Sequence, residues 1–105
     1  MTARAVVARA AAIRDVDEAI DYYLRAGSET AALDFIAAVE GAYRHLARAP
    51  ESGSPRYAHE LEIPGLRSWP LRGFPYLVFY VERAEHVDVW RVLHGERDIP
   101  ETLRG

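Results

Sequence analysis

Two long segments with apolar residues at intervals of three and four, followed by segments that alternate with a period of two, predict an α+β fold. In it an N-terminal helical hairpin packs on a small antiparallel β-sheet in the order (β)ααβββ. The change of period falls at "APESGSPR", residues 49–56, where two prolines, two serines and a glycine interrupt both patterns and predict a loop. At 105 residues, the chain is expected to make one domain, residues 1–105.

Residues 4–9, "RAVVAR", read either as a short first strand or as the lead-in to a helix. From about 11 to 26, Ile13, Val16, Ile20, Tyr23 and Leu24 recur at helical spacing, while Arg14, Asp17, Asp21 and Arg25 lie elsewhere on the turn. Asp15 and Glu18 have capping-box spacing, so the regular helix is expected to begin as late as Asp15. Gly27 suits a left-handed helix end and Ser28 suits the next N-cap, which gives a tight αα-hairpin. The second helix is predicted over 29–48 from Ala32, Phe35, Ile36, Val39, Tyr43 and Leu46. Gly41 interrupts that helix at a cost of about 1 kcal/mol relative to alanine, which suggests close packing against another backbone.

Beyond the loop, "HELEI" reads as a short strand, and "LRSWPL" sets Arg67, Trp69 and Leu71 on one face. Pro70 has no N–H for a ladder and assigns that strand to an edge. "RGFP" is a turn. "YLVFYV" is apolar on both faces, as a central strand covered on both sides must be. "ERAEH" closes a hairpin onto "VDVWRVLH". In "RDIPETL", Asp98, Pro100 and Glu101 predict one helical turn.

Composition narrows the function classes. The 13 basic residues, all arginine, face 16 acidic ones for a formal charge of −3, and neither half of the chain is basic. Nucleic-acid binding draws on phosphate neutralisation and ordinarily leaves a basic excess, so no direct nucleic-acid partner is expected. Absence of cysteine fits a reducing, cytoplasmic compartment. The N-terminal arginines interrupt any signal-peptide core, and no stretch approaches the roughly 20 apolar residues needed to span a bilayer, so no membrane association is expected.

Arg67, Tyr80, Arg91 and His94 form the one set resembling a catalytic site, suited to RNA cleavage with His94 or Tyr80 as acid or base and arginine stabilising a charged phosphorane. Against this, alternation points Arg91 and His94 to opposite faces, and a backbone-bonded histidine with Arg97–Asp98 or Arg91–Glu96 pairs accounts for the same residues. His45, His59, His86 and His94 have no ligand spacing, so neither metal nor cofactor is expected. "GSETA" lacks the preceding strand and the lysine of a phosphate loop. Ser28, Ser52, Ser54 and Ser68 lack a nucleophile elbow. Trp69, Trp90, Tyr76 and Tyr80, without surrounding positive charge, fit a core or protein interface better than a base-stacking platform.

The string "PGLRSWPLRGFPYLVFYVERAEHVDVWRVLHGERDIP" resembles the ParE branch of the RelE/ParE toxin superfamily. Upstream, "RDVDEAIDYYLRAGSETAALDFIAAVEGAYRHLARAPESGSPR" is similar to the same family in register, so the likeness runs from about Arg14 to Pro100. "ARAA" replaces the family's usual Ser-Pro or Thr-Pro before the first helix. The resemblance implies the toxin of a type II toxin–antitoxin module, held in a hetero-oligomer by a ParD-like antitoxin and acting on DNA gyrase by binding. The alternatives are a ribosome-dependent mRNA interferase of the RelE type and an inactive member kept for antitoxin binding. On this reading Arg67, Trp69, Arg91, His94, Arg97 and Asp98 contact the target. The antitoxin meets the helical hairpin through Ile20, Tyr23, Leu24, Phe35, Val39 and Tyr43.

Overall fold

A computed structural model describes residues 3–95, and the expected turn in "RDIPETL" lies outside them. The chain runs through β1 (Ala5–Ala8), α1 (Ala10–Ala26), α2 (Glu29–Arg48), a 3₁₀ turn at Pro50–Ser52, α3 (Arg56–Leu61), β2 (Leu66–Pro70), β3 (Tyr76–Glu82) and β4 (His86–His94). The sheet order is β1-β4-β3-β2. β3 and β4 pair antiparallel, as do β2 and β3, while β1 lies parallel to β4 at the opposite edge from β2. "RAVVAR" is therefore a strand, and the sheet is mixed at that edge.

α2 spans the predicted residues, and Ser28 caps it by accepting the Ala31 N–H at 3.1 Å. Three local expectations change. Helix α1 starts at Ala10 with no side-chain cap, so Asp15 sits in its second turn rather than at its end. Gly27 stands at φ −118°, ψ −106° and is not left-handed; its N–H closes the helix on the Tyr23 carbonyl at 3.0 Å. "HELEI" is not a strand. Its first three residues end α3, which Glu62 terminates in the left-handed region at φ 54°. The alternating His59, Leu61 and Ile63 mimicked a strand, but Tyr57 and Leu61, one helical turn apart, are what the helix packs against the sheet.

The hairpin covers one sheet face. Phe35, Val39 and Leu46 of α2 meet Val78, Tyr80, Val87, Val89 and Val92, and Tyr23, Phe35, Phe74 and Tyr76 join through ring contacts of 5.1–6.5 Å. α1 approaches through Ala12 and Ala19, with Val16, Ile20 and Tyr23 beside them. Two members of its predicted stripe, Ile13 and Leu24, are exposed at 52% and 49%, while Ala12 and Ala19 are the positions that α1 buries. The other sheet face has a smaller cluster of Leu61, Leu66, Phe79 and Val81 beneath α3. β3 is thus central and covered on both sides, as its composition required.

Candidate functional site

Each nominated side chain among the described residues can be followed to its contacts. Tyr80 lies on the central strand with its ring in the hairpin-side core, fully buried. Its hydroxyl donates to the Pro50 carbonyl at 2.7 Å and accepts from the Gly53 N–H at 2.9 Å. Burial raises its pKa above the ordinary phenol value, against the lowering effects of the Gly53 N–H and of Arg67. Arg67, opposite Tyr80 in the ladder, donates to the Gly53 carbonyl at 2.8 Å. A Cβ at Gly53 would overlap the Tyr80 hydroxyl and lie 2.9 Å from its ring carbons. Here glycine is required by space and not by backbone conformation. The two side chains together bolt the loop after α2 to the sheet.

Arg91 is committed elsewhere. The ladder register shifts between Phe79 and Tyr80, leaving Trp90 as the extra residue of a β-bulge, and Arg91 stands opposite Phe79. β1 ends at Ala8, so the edge of β4 beyond Val89 has no strand beside it. Asp15 of α1 fills that edge. Its carboxylate accepts two Arg91 bonds at 2.7 Å and the Val92 N–H at 3.0 Å. The fork-on-carboxylate pair, 27% and 10% exposed at its side chains, raises the Arg91 pKa through its hydrogen bond to Asp15. The position of Asp15 on a helix beginning at Ala10 was the missed signal: read as a cap, it is a clasp.

His94, opposite Tyr76, meets that ring edge-on at 5.4 Å. Trp69 stacks on His45 of α2 at 4.2 Å and 16°, and His45 Nε2 pairs with Ser52 Oγ at 2.8 Å. Since the Ser52 hydroxyl donates to the Ala49 carbonyl at 2.7 Å, the imidazole supplies the proton in the histidine bond. The fold therefore does not gather the four nominated catalytic residues. Arg67 lies on β2 and Arg91 and His94 on β4, with β3 between them, and Tyr76 and Phe79 opposite the last two mark opposite faces of the sheet. Arg97 and Asp98 are outside the described residues.

The residues assigned to antitoxin contact divide in the same way. Phe35 and Val39 are buried and offer no surface; helical periodicity had marked the face turned to the sheet. Ile20, Tyr23 and Tyr43 are half-buried against that core, and Leu24 is exposed. Tyr22 and Leu33, which sequence periodicity passed over, are exposed at 53% and 57% together with Ile13.

A second polar cluster gave no motif in the sequence. Asp88, buried between Val87 and Val89 in sequence, accepts bonds from Arg9, Arg83 and Trp90 at 2.9–3.2 Å. Burial alone would raise its pKa, but the bonds from Arg9, Trp90 and Arg83 outweigh it and hold the carboxyl below the usual range. Arg9 also lies 4.3 Å over the Trp90 ring. A carboxylate inside an otherwise apolar strand was the available sign. No group of three or more histidine or acidic side chains able to hold a metal occurs among the described residues. No described helix is long and apolar enough to cross a membrane.

These features define a small α+β domain whose polar side chains mostly serve its own framework. The same fold occurs in a solved structure titled as the chromosomal ParDE TA system from P. aeruginosa, with a TM-score of 0.72, 21% identity, and coverage of 89% of this chain and 97% of that one. Among curated proteins, none matches this chain. The family model described as ParE toxin of type II toxin-antitoxin system, parDE, matches residues 6–99, and this chain belongs to that family.

Proposed function

We propose that this protein inhibits DNA gyrase by binding it and that a ParD-like antitoxin, bound to the toxin in a hetero-oligomer, neutralises it. The observation that carries the reading is the commitment of three of the four side chains nominated for RNA cleavage. The Tyr80 hydroxyl is buried in two bonds, Arg67 holds a loop carbonyl, and Arg91 is clasped by Asp15. General acid–base catalysis needs a group that can reach the substrate proton, and charge stabilisation needs a guanidinium aimed at the phosphate. Target contact falls to His94 and Trp69, both half-buried, with Arg97 and Asp98 beyond the described residues; Arg67 and Arg91, half-buried as well, are held by the Gly53 carbonyl and by Asp15. The exposed Ile13, Tyr22, Leu24 and Leu33 give the antitoxin apolar area on the hairpin. The proposal places the protein in the cytoplasm, with gyrase and the antitoxin.

Purified toxin added to gyrase is expected to stop supercoiling, and addition of the antitoxin to restore it. In a parallel ribosome assay the messenger is expected to stay whole. Cleaved messenger beside undiminished supercoiling would overturn the proposal in favour of the interferase alternative.

A further inference from the structure

We infer that β1 is a strap that opens from the sheet as a unit of its own while the rest of the domain stays folded, and that ion pairs at its two ends set how often it opens. The two edge strands are held differently. β2 buries Leu66 and Ser68, and on its outer side Ser68 exchanges two backbone bonds with Ser54, at 2.9 and 3.0 Å. β1 has four residues and buries none of them: Ala5 and Val7 are exposed, and Val6 and Ala8 rest half-buried on the hairpin-side core. A strand with no fully buried side chain gives up little apolar burial when it leaves, and apolar burial is the main obstacle to a local opening.

In place of burial, β1 has a charged clip at each end. "RAVVAR" sets one arginine before the strand and one after it. Arg4 donates to the Glu82 carboxylate and to the Arg83 carbonyl. Arg9 lays its guanidinium on the Asp88 carboxylate, at 2.9 and 3.0 Å, and over the Trp90 ring. Glu82 ends β3 and Asp88 lies near the start of β4, so both clips fasten to one hairpin. Release of Arg9 does not strand a buried charge, because Asp88 keeps the bonds from Arg83 and Trp90. Both arginines keep part of their surface in solvent, so salt weakens the clips. Opening bares the backbone edge of β4 from His86 to Val89, which β1 otherwise covers, while Asp15 stays on the Val92 N–H beyond it.

Native-state hydrogen exchange tests the inference by comparing the amides of residues 5–9 with those of β3. In the wild type, residues 5–9 should exchange faster. Leu61→Ala removes packing on Leu66, Phe79 and Val81 that an open β1 leaves intact, so it should speed β3 and leave residues 5–9 unchanged. Asp88→Asn should speed residues 5–9 about fivefold and Glu82→Gln about twofold. Added salt should speed them in the wild type and do less in the double variant. Acceleration of residues 5–9 in step with β3 in Leu61→Ala overturns the inference, since β1 would then leave only with the whole domain. Should Leu61→Ala fail to fold, low urea replaces it: exchange at residues 5–9 should hardly respond while β3 accelerates, and parallel responses overturn the inference equally. Residues 5–9 unmoved by both Asp88→Asn and Glu82→Gln overturn the clips and leave the ladder as the sole fastening.

Discussion

The two faces of the sheet are held by different means. Under the hairpin, two long helices bury Phe35, Leu46 and a row of valines, and aromatic rings close the end. On the α3 side, a six-residue helix sets its own Leu61 on Leu66, Phe79 and Val81, and toward the β1 edge the surface is held by Asp88 with its two arginines and Trp90. One face is an apolar core in the ordinary sense. The other is half apolar and half a charged network, whose worth depends on protonation and solvent. The difference shows why the hairpin can leave residues such as Leu24 and Leu33 exposed: its inward face alone secures the packing.

That contrast is open to measurement. Phe35→Ala should lower the unfolding free energy by about 4 kcal/mol and Leu61→Ala by about 2 kcal/mol in urea titrations, because the phenylalanine packs among both helices and the sheet while the leucine ends a single six-residue helix. Equal losses would mean the α3 face contributes as much as the hairpin. Asp15→Asn should cost about 2 kcal/mol by the same titration, since the amide keeps one acceptor but leaves Arg91 without its charge partner. A loss no larger than that of an exposed helix carboxylate such as Asp21 would show that α1 is docked by packing alone.

The smallest effect is expected from acid. Asp88 has a folded-state pKa below the ordinary carboxyl value of 3.8, so its contribution is complete above that value and is lost as pH falls through the folded one. Arg9 and Arg83 are close to half exposed, at 48% and 44%, and solvent screens the network. The wild type should therefore lose stability on acidification below about pH 4 slightly more steeply than Asp88→Asn, measured by thermal melts across that range. Parallel curves would mean that the Asp88 charge adds nothing to the stability of that face.

Periodicity was enough for α2, for the central strand and for the edge placement of β2, because each follows from local geometry: which side chains share a helical stripe, and where proline denies a ladder bond. It misplaced α3, since six residues are too few to separate a helical pattern from alternation. It also left Tyr80, Arg67 and Arg91 open as candidates for chemistry should the chain be a ribonuclease. A polar side chain in a strand has the same letter whether it faces a substrate or a backbone carbonyl, and only the approach of residues 27, 14 and 76 positions away makes them framework.

The amino-acid order by itself determined the α+β class, the helical hairpin and the motifs that mark the ParE toxin family, because these depend on short-range patterns and on strings of adjacent residues. Only the tertiary structure decided which polar groups are committed to the fold and which remain for a partner. That allocation depends on contacts across the sheet: Asp15 against an edge left bare by a short β1, the Tyr80 hydroxyl against a glycine loop, and Gly41, a helix glycine that no described neighbour requires.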